Sequence, residues 1–170
     1  GGAPRREDGR RRCRTRSPAS SCCGITVGAG VHSNGDFTNI QAAINGLPPE
    51  GGKVCVLKGD YSQTVDITNR KFITLEGCGD LTALQLPDGA KRSLIAVRDS
   101  HDITIRDMAL TALDDIAITI SKGQAGCHDI VLEKLSMPGP DSPAVMAAPV
   151  DRFALCGWHI FFETLLVLVT

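Results

Sequence analysis

The chain has 170 residues, of which 42% are hydrophobic and 22% charged, with a formal net charge of −1. That is enough chain for one domain with a substantial core, and so even a balance excludes nucleic acid or an acidic surface as the main, field-driven partner. The basic charge is uneven, however: residues 1–20 contain seven arginines, among them Arg10, Arg11 and Arg12, against Glu7 and Asp8.

Residues 1–23 read as a disordered basic arm, because a segment so poor in apolar side chains cannot offset its ordering entropy. No apolar stretch follows the arginines, so they do not open a signal peptide. Next, Gly28-x-Gly30 lacks the strand-to-helix setting of a nucleotide loop, and no cofactor is expected. A helix is expected over 38–46. Thr38 would be its N-cap, with Gln41 three residues on as the capping-box partner, and Ile40, Ala43, Ile44 and Leu47 would form one apolar face. Gly46-Leu47-Pro48-Pro49 ends it.

From a first strand over 53–57 onward, short period-2 strands recur. HDITIRDMAL at 101–110 returns as HDIVLEKLSM at 128–137. In the same register, Ile73 and Leu75 lie upstream and Phe153 and Leu155 downstream, at spacings of 30, 27 and 23 residues. Three residues past the second apolar position stand Cys78, Met108, Leu135 and Trp158. A shorter strand precedes each unit, at Val65-x-Ile67, Ile95-x-Val97, Ile118-x-Ile120 and Val145-x-Ala147. Polar turns such as Asp99-Ser100 and Asp114-Asp115 join them.

Units this short leave no room for a helix between strands and imply a solenoid. The fold class is all-β: a right-handed parallel β-helix of four to five rungs with a short N-terminal capping helix, occupying 24–160. Handedness follows from the parallel crossover preference. The apolar end at 161–170 reads as a further rung cut short, and the domain as part of a longer protein. That end falls well below the ~20 residues of a membrane helix, so no membrane span is expected. The seven cysteines show no zinc-site spacing. Cys55 and Cys78 sit in or beside apolar strand patterns and read as buried free thiols, which favours a reducing compartment. The adjacent Cys22 and Cys23 are the exception.

NGDFTNIQAAINGLPPEGGKVCVLKGDYSQTVDI at 34–67, followed by KFITLEGCG at 71–79, resembles the opening of pectin lyase-like right-handed parallel β-helix proteins. The similarity is closest to pectin methylesterases and to bacterial β-helix repeat proteins. It rests on the Gly-Asp-Phe-x-x-Ile-Gln-x-Ala-Ile lead into the helix and on Gly59-Asp60-Tyr61. It implies the fold and a polysaccharide partner, and the architecture hosts many activities. The match departs at Gln63, where the methylesterases carry Glu, and their catalytic aspartate motifs are absent. Asp114-Asp115 before an apolar strand looks like the acidic pair of polygalacturonases, whose Gly-His-Gly and Arg-Ile-Lys segments are absent.

Two readings compete for the candidate residues. His101, Asp102, His128 and Asp129 share a phase of the ladder and would suit a glycan or metal site. Their spacing specifies no metal, and none is expected. The preceding phase reads Lys71, His101, His128, Asp151, which charge matching explains better: His128 would face Asp151, and Asp129 would face Arg152. Asp114 and Asp115 are the weak catalytic candidates, set against an acidic turn before a buried strand. His32 and His159 have no partner that the pattern names. The preferred function is a non-catalytic structural or polysaccharide-binding β-helix module. The alternative is a carbohydrate-active enzyme (pectin or polyuronate esterase, hydrolase or lyase) or an inactive fragment of one.

Overall fold

The computed structural model describes residues 24–28, 33–90, 92–112, 116–121 and 124–137, together with the backbone of strands at 145–147, 151–156, 159–160 and 167–169. The expectations for residues 1–23, Asp114, Asp115, His32 and Trp158 lie outside that set. In chain order the elements begin with β1 (Ile25–Val27), helix α1 (Ile40–Asn45), β2 (Gly52–Val56), β3 (Gly59–Ser62), β4 (Val65–Thr68) and β5 (Lys71–Gln85). There follow β6 (Ile95–Arg98), β7 (His101–Thr111), β8 (Ile118–Ser121), β9 (His128–Met137) and β10 (Val145–Ala147). The last are β11 (Asp151–Cys156), β12 (His159–Ile160) and β13 (Val167–Val169).

These strands wind into a β-solenoid of about four turns. One sheet runs β1-β2-β5-β7-β9-β11, with β3 beside β5 and β12 beside β9; the other runs β13-β10-β8-β6-β4. Neighbouring strands are parallel, and the expected register holds. Ile73 lies opposite Ile103, Ile103 opposite Ile130, and Ile130 opposite Phe153; Leu75, Ile105, Leu132 and Leu155 align likewise. In the second sheet Val65, Ile95, Ile118 and Val145 form one row, and Ile67, Val97, Ile120 and Ala147 the next. Ile103, Ile105, Ile130 and Leu132 have no exposed surface. Each such side chain contributes roughly 1.5–3 kcal/mol of burial, so these rows hold the turns together.

The main strands are longer than the short strands expected. β5, β7 and β9 have 15, 11 and 10 residues. They stay continuous because single residues in the left-handed region bend the chain without ending the ladder. Inside the strands these residues recur at the same place in successive turns, at Phe72, Asp102 and Asp129 and again at Asp107 and Lys134; Asn69, Asp99 and Gly126 do the same two residues ahead of each strand. Asn, Asp and Gly enter that region at least cost, which is why Asp recurs in the sequence. The Asp99 carboxylate also fastens the following turn, accepting from the Ala125 and Gly126 N–H groups at 2.9 and 3.0 Å. The corner just after Asp99 is filled by Ser100, which is fully buried. Its hydroxyl lies 3.1 Å from the Ile67 carbonyl and accepts from the Arg70 N–H at 3.1 Å.

The helix begins one residue later than expected. Asn39, not Thr38, is the N-cap, its side chain accepting from the Ala42 N–H at 2.9 Å. Asn is the stronger cap of the two. Gln41 does not reach back to the cap. It binds the backbone N–H and C=O of Asp66 on β4, at 2.6 and 3.0 Å. Gln63, where the resemblance leads one to expect Glu, accepts from the Ile40 N–H at 2.9 Å and so satisfies another donor of the first helical turn. Ile40, Ala43 and Ile44 are buried, and α1 packs on β1, β2 and β4.

Strand β1 precedes the helix and pairs with β2, so the strand expected to come first (53–57, observed at Gly52–Val56) is not the outermost. The outer side of β1 is covered by the segment around Phe37. Phe37 N–H donates to the Thr26 carbonyl at 3.0 Å, and Gly28 N–H to the Phe37 carbonyl at 2.8 Å. The Asp36 carboxylate takes the Thr26 N–H at 3.0 Å. Glycine is required for this approach, since a Cβ on Gly28 would lie 2.2 Å from the Ser33 carbonyl oxygen.

Two further expectations need correction. Cys55 and Cys78 are disulfide-bonded, not free thiols; Cys127 is free and buried. Winding places Cys55 opposite Glu76, two residues from Cys78, an adjacency invisible in linear spacing. Gly79, not Cys78, stands opposite Met108, because the β5–β7 register shifts between Glu76 and Gly79. Met108 and Leu135 do align.

Candidate functional site

The row singled out in the sequence lies where β5, β7 and β9 begin. Lys71 stands opposite His101, His101 opposite His128, and His128 opposite Asp151. The side chains of all four candidates, His101, Asp102, His128 and Asp129, meet in a way that charge matching between turns does not describe. Asp102 and Asp129 sit at φ of 55° and 54°. This backbone turn folds each carboxylate back onto the histidine just before it. His101 Nδ1 lies 2.8 Å from Asp102 Oδ2, and His128 Nδ1 lies 2.9 Å from Asp129 Oδ2.

The two imidazoles stack across the turns, with centroids 4.7 Å apart and planes 9° from parallel. Phe72, from the neighbouring row, joins the group with its ring edge-on to His101 at 5.6 Å, and Lys71 Nζ lies 6.0 Å from the Phe72 centroid. The group is open to solvent: the side chains of His101 and His128 are 36% and 42% exposed, and Phe72 is 54% exposed. The expected His128–Asp151 pairing exists as backbone register. The side chains of Asp151 and Arg152 lie outside the described residues, as do Asp114 and Asp115.

Chemically, a carboxylate on Nδ1 fixes the ring's orientation. Of the two neutral tautomers it selects the one with the proton on Nδ1, in which Nε2 is the acceptor. The result is a shallow strip of stacked imidazole edges beside the exposed Phe72 ring, flanked by carboxylates and one ammonium. Among the described residues no three His, Cys, Asp or Glu side chains gather as a metal cage needs. Among the same residues, no helix is long and apolar enough to cross a membrane.

A second row on the same sheet was missed in the sequence. Glu76, Arg106 and Glu133 align on β5, β7 and β9. Arg106 Nε donates to Glu76 Oε2 at 2.8 Å, and a second guanidinium nitrogen also bonds that oxygen. Lys53 Nζ reaches it at 2.9 Å, and Arg106 lies 3.9 Å from Glu133. Partial burial opposes the Glu76 charge, but Lys53 and Arg106 together outweigh it and hold this carboxyl below its ordinary range. The hydrogen bond that Arg106 donates to Glu76 in turn raises the guanidinium's own value, with burial opposing. The signal was available: the register of the isoleucines already places 76, 106 and 133 in one row.

Comparison of the chain with models of known protein families and with curated proteins finds no match to either.

Proposed function

We propose that the chain is a right-handed parallel β-helix of the pectin lyase-like kind, with α1 capping its first turn, and that it serves as a non-catalytic structural or polysaccharide-binding module. The near-universal hand of parallel crossovers supports the handedness. The apolar face of α1, buried on β1, β2 and β4, supports the cap. Disulfide bonding of Cys55 and Cys78 supports an oxidising compartment in place of the reducing one favoured by linear spacing.

The observation that carries the binding reading is the exposed group Phe72, His101, His128, one ring per turn along one face. Turns stack about 4.8 Å apart, a repeat comparable with the length of one sugar ring. The exposed Phe72 ring and the imidazole edges offer apolar area to a glycan, while Lys71, Asp102 and Asp129 offer hydrogen bonds to its hydroxyls.

Affinity electrophoresis in gels containing pectin or polygalacturonate tests this, beside assays for released reducing ends and methanol. The wild-type protein is expected to be retarded without turnover, and a Phe72→Ala/His101→Ala/His128→Ala variant to run freely. Turnover that disappears in Asp114→Asn or Asp115→Asn would replace this reading with that of a carbohydrate-active enzyme. Unretarded migration of the wild type removes the polysaccharide partner.

A further inference from the structure

We propose that His101 and His128 form a two-imidazole clamp for one late divalent transition-metal ion of the Ni²⁺, Cu²⁺ or Zn²⁺ class, bound on the outer face of the solenoid. This does not rest on the polysaccharide reading and needs no glycan.

Two observations carry the site, and a third sets what binding must change. First, the two histidines are register partners on adjacent parallel strands, so the backbone holds both side chains on one face at the distance between turns. Second, each Nδ1 is engaged by its own aspartate, at 2.8 and 2.9 Å. A carboxylate on the far nitrogen is the usual outer partner of a metal-bound histidine: it fixes the ring, selects the tautomer and makes the other nitrogen a better donor. Third, the rings are near-parallel with centroids 4.7 Å apart. Anchored at the same nitrogen, parallel rings hold their Nε2 lone pairs side by side and not aimed at one point. Two Nε2 atoms on one ion at about 2.0–2.1 Å each must approach to roughly 3 Å with their lone pairs converging, so binding has to swing the two exposed rings out of their parallel stack.

The chemistry of the donors selects the ion. Neutral imidazole suits Ni²⁺, Cu²⁺ and Zn²⁺, whereas Mg²⁺ and Ca²⁺ want oxygen. With two protein ligands, water completes the coordination, so binding is exchangeable and not structural.

The test uses Ni²⁺ alone, which avoids the thiol oxidation that Cu²⁺ causes, on the full chain carrying His32→Ala and His159→Ala to remove the other imidazoles. Calorimetric titration gives affinity, and proton NMR of the imidazole ring gives location. One Ni²⁺ is expected to bind, broadening both the His101 and His128 ring signals together. Each of His101→Ala and His128→Ala should weaken binding at least tenfold, and the double variant little more than either single one. Matched thermal unfolding midpoints show that the variants remain folded. As a check that keeps both imidazoles, Asp102→Asn/Asp129→Asn should weaken binding while leaving one site. Affinity unchanged in either single histidine variant overturns the clamp, as does broadening of only one ring.

Discussion

Two rows on the same three strands, one residue apart, behave in opposite ways. The inner row, Ile73, Ile103 and Ile130, repeats one chemistry and is fully buried. The neighbouring row, Phe72, Asp102 and Asp129, repeats one backbone conformation, φ of 53–55°, but changes its side chain from aromatic to acidic. The solenoid therefore demands side-chain identity only where turns share a core. At the corner it demands a left-handed backbone, and the outward group is left to vary. Recurrence inside signals stability, and recurrence outside can signal nothing more than a residue tolerant of that corner.

The contrast can be broken from the inside. Ile103→Ala removes a side chain clasped between the turns above and below, and should cost about 2–5 kcal/mol. Denaturant unfolding would show this as a lower midpoint with little change in slope. An equal loss from the exposed His101→Ala would erase the distinction between the rows.

The corner offers a smaller effect of opposite sign. Phe72 is a bulky residue at φ 53°, held there by the turn. Phe72→Asn should stabilise by about 1 kcal/mol, since Asn accepts that conformation with less steric penalty. A thermal midpoint below wild type would mean that the Phe72–His101 ring contact outweighs the strain.

The smallest effect sharpens the comparison on the outer face. The native Glu76 carboxyl sits below its ordinary value of 4.5. A group depressed on folding contributes stability that is present above the unfolded value and lost as pH falls through the native one. Glu76→Gln should cost roughly 0.5 kcal/mol at neutral pH, as a partly exposed pair would. It should also flatten the stability–pH curve below about pH 4.5, the ordinary value at which that carboxyl titrates in the unfolded chain. Parallel wild-type and variant curves through that range would remove Glu76 from the acid response.

How much of this was legible in the chain follows from the same contrast. Ile73, Ile103 and Ile130 could be aligned by eye because burial in a shared core permits little else. That register correctly set Lys71, His101, His128 and Asp151 in one row. It could not show that Asp102 turns back on His101, because the hydrogen bond depends on a left-handed φ that Asp tolerates but does not require. The disulfide bonding of Cys55 and Cys78 was hidden for another reason. Cysteine spacing is informative along a hairpin or a zinc loop, whereas here winding makes neighbours of residues some twenty positions apart. The cap moved from Thr38 to Asn39 because Gln41, its supposed partner, is held by Asp66.

The cover over β1 has a consequence for how such molecules keep apart. A parallel solenoid ends in a strand whose free N–H and C=O groups match those of any similar strand, an invitation to stack end to end into a filament. Here the outward Thr26 N–H, Thr26 C=O and Gly28 N–H are already taken by Asp36 and Phe37 of the same chain. The segment at 33–37 thus acts as a terminator for β1, occupying from within the chain the backbone groups that a strand of another copy would need.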